Sequence, residues 1–266
     1  MADINKARFE LAEMDDLAAL DSPVHKANPL AKLIITIAYI FIVASFDKYA
    51  LSGLLIMILY PAFMFSLSGI SVKKCFYKLR FILPLVVAVG IFNPFFDRLP
   101  MFKVGSLVVN AGFVSMLTLM LKGVLCLMAS FILASTTSID KICVALRKVR
   151  VPKLLVTLIL LMFRYVSVMM EEVSIMYMAY SLRAPMQKGI HISAWGSFLG
   201  QLILRSSDKA EELYLSMQLR GFDGEFEYAG NEKFGAKDLV ITLVFLGLFI
   251  VFRFINVTRL LGSLFV

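Results

Sequence analysis

Charge is scarce in this chain: only 17% of its 266 residues are Asp, Glu, Lys or Arg, while 60% are apolar. An ordinary soluble globular domain, with about 25% charged residues, is excluded by that balance. Histidine is almost missing, with His25 and His191 alone, and the three cysteines, Cys75, Cys126 and Cys143, form no Cys-x-x-Cys pair. Neither set reads as a metal site. The thiols are expected to be buried and structural, the histidines to be turn or surface residues. No Gly-x-x-x-x-Gly-Lys-Ser/Thr occurs, so the chain has no P-loop with which to cradle ATP phosphates. Residues 1 to 29 hold six acidic side chains and no apolar core, which argues against a cleavable leader and for a mature chain starting near Met1. There is no internal repeat, and in particular no inverted pair of broken helices of the kind that builds a transporter's substrate site.

What the chain does have is long apolar runs. A hydrocarbon core about 30 Å thick takes roughly 20 helical residues per crossing, which leaves room for about five to seven spans. Leu30 to Phe46 follows the turn-forming Asp21-Ser22-Pro23-Val24-His25-Lys26-Ala27-Asn28-Pro29 and should span. Tyr49 to Leu67 contains Pro61, which predicts a kink that neighbouring helices satisfy. Phe81 to Phe96 is short and broken by Pro84, Gly90 and Asn93-Pro94, so it is either a kinked span or one that ends in an outside turn. Ala111 to Ser135 is long enough to cross despite Lys122, whose central placement would cost about 2.5–3.5 kcal/mol unless the amine faces the bundle or snorkels. The last run, Leu239 to Phe252, extends to Ile255 around Arg253.

The net charge of +8 serves membrane orientation rather than nucleic-acid binding. Lys73, Lys74, Lys78 and Arg80 stand together without an acid, and Lys141, Arg147, Lys148, Arg150 and Lys153 face Asp140 alone; both segments belong on the cytoplasmic side. The segment from Asp97 to Asn110, with only Arg98 and Lys103, belongs outside. From Glu171 to Lys237 the composition shifts, with nine of the 19 acids and seven bases, which marks a wet subdomain. No Gly or Pro separates Leu154–Met170 from that subdomain, so one helix from about Pro152 to Arg183 is predicted, lying along the cytoplasmic face of the bundle. A sixth span is the alternative. A second long helix is predicted over Ser193 to Leu219, with Gly196-x-x-x-Gly200 as a small-residue surface for close helix packing.

Both long helices end in one arginine followed by a breaker: Ser181-Leu182-Arg183-Ala184-Pro185 and Gln218-Leu219-Arg220-Gly221-Phe222. A guanidinium at a helix tip presents five fixed donors to a partner's carboxylates and carbonyls, or it simply complements the negative end of the helix dipole.

The stretch Ser207-Asp208-Lys209-Ala210-Glu211-Glu212-Leu213-Tyr214-Leu215-Ser216-Met217-Gln218-Leu219-Arg220-Gly221-Phe222-Asp223-Gly224 resembles the second signature of the transmembrane T-component of energy-coupling-factor (ECF) ABC transporters, which includes the cobalt permeases of the CbiQ type. Asp21-Ser22-Pro23-Val24-His25, Phe92-Asn93-Pro94-Phe95-Phe96, Val151-Pro152-Lys153-Leu154-Leu155 and Phe163-Arg164-Tyr165 with Glu171-Glu172 extend the likeness along most of the chain. The resemblance implies an all-α polytopic membrane protein with about five transmembrane helices and two long cytoplasmic coupling helices. Its parts would be a cytoplasmic amino-terminal arm (1–29), four transmembrane helices (30–138), a coupling domain (139–237) and a last transmembrane helix with the carboxyl end (238–266).

It further implies a non-enzymatic subunit of a vitamin or transition-metal importer in a bacterial cell membrane. Two ABC ATPase subunits would carry ATP and Mg, a separate S-component would capture the cargo, and this chain would hold no cofactor. Arg183 with Ala184, and Leu219, Arg220 and Gly221, would be the ATPase-coupling residues; the first motif departs from the family pattern in having Pro185 where a glycine is usual. A stand-alone secondary transporter or channel is the rival reading, with Lys122, Asn93 and Arg164 as its polar groups and no matched intramembrane carboxylates. An intramembrane enzyme built on Asp15-Asp16 and Asp21 lacks a second acidic cluster.

Overall fold

Proline at the first turn starts the opening helices in the computed structural model, which describes residues 9, 13, 16–96, 100–104, 107–185, 187, 189–224 and 234–254. Helix α1 (Pro23–Lys26) is capped by Ser22, whose hydroxyl accepts from the His25 amide. The His25 ring is buried, with Nδ1 2.6 Å from Ser22 Oγ and Nε2 3.0 Å from the Leu17 carbonyl. A carbonyl can only accept, so Nε2 carries a proton and the imidazole ties the turn together. Helix α2 (Pro29–Ala44) begins at Asn28, whose Oδ1 accepts from the Leu30 amide and whose Nδ2 donates to Asp238 at 3.3 Å.

The second apolar run folds as α3 (Leu51–Met57) and α4 (Leu59–Ser68), broken at Ile58. Pro61 is the cause. It has no amide hydrogen, so the carbonyl four residues earlier, on Met57, loses its helical partner. Tyr39 of α2 takes over that role, its hydroxyl donating to the Met57 oxygen at 2.9 Å. The same ring lies tilted against Tyr60, with centres 4.5 Å apart, and against Phe249 at 5.3 Å, so the centre of the core is the point where the kinked helix is repaired.

The basic stretch after Gly69, expected as a loop, is instead a short helix, α5 (Val72–Leu79). Cys75 and Leu79 are buried on one side of it while Lys73 and Lys74 are exposed, and that amphipathic spacing is what makes it helical. A 71° bend leads into α6 (Leu83–Phe96). The segment expected to be an outside loop contains strands β1 (Pro100–Val104) and β2 (Leu107–Asn110), paired antiparallel with Val104 opposite Leu107. Two valines and a leucine within four residues suit extended backbone, which the loop reading overlooked. Helix α7 (Ala111–Thr136) packs along α6, and Gly123 makes the approach possible: a Cβ there would lie 2.5 Å from Val86. Helix α11 (Ala236–Phe254) returns to pack on α2, bringing Phe249 to the aromatic centre. Ile255 lies outside the described residues.

These elements form one compact unit, Leu17–Ser138 with Glu232–Val266; Met1–Asp16 with Ile139–Asn231 forms the other. In the second unit α8 (Ile139–Lys148) is again a short helix where a basic segment was expected. It ends with Arg150 at φ 69°, and the Val151 amide bonds back to Leu146. Pro152 then caps α9 (Lys153–Arg183), a single 31-residue helix as predicted, and α10 (Ile192–Leu219) follows.

The chain is an all-α polytopic membrane protein whose described strands are confined to this small hairpin. Leu51–Ser68, Ala111–Thr136 and Lys153–Arg183 are long and apolar enough to cross a bilayer, and the bent pair Val72–Leu79 with Leu83–Pro94 makes a fourth candidate. Helix α2 is apolar but shorter, at 16 residues.

Candidate functional site

The polar groups of the membrane bundle are spent on structure. Lys122 of α7 donates to the Ala44 carbonyl at 3.2 Å and also to the Phe46 carbonyl, both at the end of α2. Arg253 of α11 donates to the Ser45 carbonyl between them at 2.9 Å and lies 4.6 Å from the Phe46 ring. Two cations therefore cap one helix end, where the last carbonyls have no intrahelical partner and carry the negative pole of the helix dipole. The arrangement is reciprocal. Lys32, near the start of α2, donates to the Thr136 carbonyl at the end of α7 at 2.8 Å. Each helix of this antiparallel pair thus supplies the lysine that caps the other, which fixes their register. Asn93 donates to Ser115 across α6 and α7 at 3.1 Å. Arg164 lies exposed on α9.

In the other unit, α10 ends in a hydrogen-bonded stop. The Phe222 amide bonds to the Met217 carbonyl at 3.0 Å and the Gly221 amide to that of Gln218 at 2.9 Å, with Gly221 at φ 77°. The two bonds satisfy orphan carbonyls of the last turn, and the left-handed residue between them is most easily a glycine. Arg220 is held at the cap itself, at φ −91° and ψ 6°, so its side chain leaves the helix at a defined point.

Helix α9 ends differently. Its cap, Ala184, is at φ −129° and ψ 64°, because a residue preceding proline avoids the helical region. Its amide bonds back to Tyr180 at 3.0 Å. The Tyr180 hydroxyl then organises the connection: it donates to Gln187 at 2.8 Å and accepts from the His191 amide at 3.2 Å, while His191 Nδ1 caps the start of α10. Pro185 therefore keeps a sharp end at Arg183 by a route other than a left-handed glycine. Met186 and Lys188 lie outside the described residues.

The two tips are alike in exposure. Leu182 is 76% and Leu219 89% exposed, and each precedes an exposed arginine. Neither guanidinium has an ion-pair partner among the described residues. Between the tips and the rest of the unit, α9 and α10 are joined by Arg205, which donates to Glu172 at 2.8 Å. Sequence reasoning missed this pair; the signal was an acid and a base facing each other on two helices expected to cross. Among the described residues nothing is packed against Gly196 or Gly200: a Cβ at either position would meet no atom within 4 Å, so there the small-residue surface is open along α10. Lys209 pairs with Glu212 at 3.0 Å, and that hydrogen bond holds its ammonium above the usual lysine range. Burial raises the Cys143 thiol on α8, and Asp140 adds to the effect. Among the described residues no three His, Cys, Asp or Glu side chains stand together as metal ligands.

The fold defines a helical polytopic membrane protein in which two long helices of one unit carry exposed arginine tips. The chain belongs to the CbiQ cobalt transport protein family, whose pattern it matches over residues 21–229, from the α1 turn to beyond the Gly221 stop. It is a membrane transport component of that type. Over 135 residues, 50% of this chain, it is 25% identical to an uncharacterized protein of Methanocaldococcus jannaschii, of which the match covers 46%. The chain thus spans about half the length of the curated relative it matches.

Proposed function

We propose that the chain is the transmembrane coupling subunit of an ECF-type ABC importer in a bacterial cell membrane. The observation that carries this reading is the pair of tips, Leu182-Arg183 and Leu219-Arg220, each exposed, each at a backbone-defined helix end, and each on a helix tied to the other through Arg205 and Glu172. Two ABC ATPase subunits, which hold the ATP and Mg, receive one tip apiece. When the ATPases close on nucleotide the tips are drawn together, and the change in angle between α9 and α10 passes to a membrane-embedded S-component that holds the cargo. Gly196 and Gly200 offer that partner a surface it can approach closely.

Energetics favour enclosed tips over surface contacts. An exposed ion pair is worth about 0.2–1 kcal/mol, too little to carry a power stroke, whereas losing one partner of a desolvated pair costs about 2–5 kcal/mol. Arg220 is accordingly seated in a pocket of its ATPase, paired and multiply hydrogen-bonded, with Leu219 buried beside it. Arg183 does the same with Ala184 at its base. The cargo is a cobalt or nickel ion, or a vitamin delivered by an exchangeable S-component; its ligands belong to that subunit.

The test is purification in mild detergent followed by uptake measurements. Recovery of ATP-hydrolysing subunits with the wild-type chain, and their loss with Arg220→Glu while membrane insertion persists, is the expected result. The rival reading of a stand-alone carrier requires the purified chain by itself to transport in proteoliposomes, and that outcome defeats the coupling role.

A further inference from the structure

The bend between α5 and α6 gathers Lys73, Lys74, Lys78 and Arg80 within eight residues, with no acid between Ser71 and Arg80. Lys73, Lys74 and Arg80 are exposed, while Cys75 and Leu79 anchor α5 on the bundle. Beside the bend lies an open groove of about 680 Å³ lined by Phe76, Tyr77, Leu83, Pro84, Val87 and Ile91, with Arg80 as its charged member. The Arg80 guanidinium lies 5.9 Å from the Tyr77 ring centre and 5.5 Å from that of Phe81, an aromatic seat that keeps the cation at the mouth of an apolar channel.

We propose that this bend binds an anionic glycerophospholipid of the surrounding bilayer, with one acyl chain in the groove and the phosphodiester held by Arg80, Lys73 and Lys74. Three features select that occupant. The groove wall is apolar, so a soluble anion would leave most of it bare, whereas an acyl chain covers it. The charged residue of the lining is a base, Arg80, and the same short helix carries Lys73 and Lys74, which rewards a headgroup with net negative charge; a zwitterionic headgroup neutralises its own phosphate and gains less. The short helix, joined by a sharp bend to an apolar one, places the exposed Lys73 and Lys74 at headgroup depth while Cys75 and Leu79 stay in the bundle. Arg80 supplies a planar fork for two phosphate oxygens, and the two lysines add point charge. This site is independent of the coupling role.

The experiment uses the full chain, delipidated in detergent and observed by native mass spectrometry with added phosphatidylglycerol or phosphatidylcholine of identical acyl chains. Phosphatidylglycerol should be retained preferentially. The variant Lys73→Ala/Lys74→Ala/Arg80→Ala should weaken its retention by about fivefold per base, on the order of a hundredfold in all. Val87→Trp, which fills the groove and leaves every base in place, should weaken it as well. Lys141→Ala/Arg150→Gly, at the other basic segment, should not, and an unchanged melting temperature establishes that each variant is folded. Equal retention of the two lipids, folded variants that keep full phosphatidylglycerol binding, or an equal loss in the distal variant would overturn the proposal. So would a photo-cross-linker at Val87 that captures a protein instead of lipid in native membranes.

Discussion

Lys122 shows what a single cation can do in an apolar bundle. Placed mid-helix, a lysine in lipid costs about 2.5–3.5 kcal/mol, and that cost is what a transporter accepts in order to move an ion. Here the amine instead terminates α2, sharing its carbonyls with Arg253. Replacement by methionine removes the charge but leaves the end of α2 short of donors, and an unmade bond at a buried carbonyl costs about 1–3 kcal/mol. Lys122→Met should therefore lower the melting temperature in detergent by roughly 2–4 °C for each kcal/mol lost, while Lys122→Arg retains most of the cap. Tyr39→Phe tests the same logic at the kink. The Met57 carbonyl freed by Pro61 loses its donor, and a loss of about 1–3 kcal/mol is expected, read as a lower melting temperature with the helix content unchanged. The sequence announced the kink at Pro61 and the oddity of Lys122. It could not announce their partners, because Tyr39 and Met57 are 18 positions apart and Lys122 and Phe46 are 76 apart, and only the packed bundle brings them together.

Helices α9 and α10 were legible almost to the residue, for a local reason. Pro152 starts one, Ala184 before Pro185 ends it, and Gly221 stops the other, and each of these acts through its own backbone. The short helices α5 and α8 were harder: their bases suggested loops, whereas the apolar residues between the bases bury one side against the bundle or the neighbouring helix. Gly221→Ala should cost about 1–2 kcal/mol, because the left-handed conformation crowds a Cβ against the carbonyl. The larger effect should fall on assembly, since the cap fixes where Arg220 leaves the helix, and recovery of ATPase subunits should drop while the chain remains folded. Arg205 and Glu172 present the opposite balance. Both side chains keep some solvent contact, at 41% and 21% exposure, so a double-mutant cycle on melting temperature should return no more than about 1 kcal/mol. On the proposed coupling role uptake should suffer more than stability, because the pair joins the two helices that carry the tips. An uptake rate unaffected by Glu172→Gln would remove the pair from the coupling path.

Across the whole molecule, two units divide the labour by composition. One, rich in aromatics, is a bundle in which Lys32, Lys122 and Arg253 are already occupied with helix ends. The other exposes leucine and arginine together at two helix tips, a combination that is wasteful in water and useful in an interface, where arginine and large apolar anchors contribute most of the binding energy. Family membership over residues 21–229 takes in most of both units. The sequence made the tips visible because a breaker beside an arginine is a local pattern. It left open what meets Gly196 and Gly200, since no described residue fills that surface. The most direct test of the coupling role is a photo-cross-linking residue placed in turn at Leu182 and at Leu219 in native membranes. Both positions should join to ATPase subunits, with the yield changing when a non-hydrolysable nucleotide holds them closed. Capture of lipid alone at both positions, or capture from the outer face of the membrane, would contradict it.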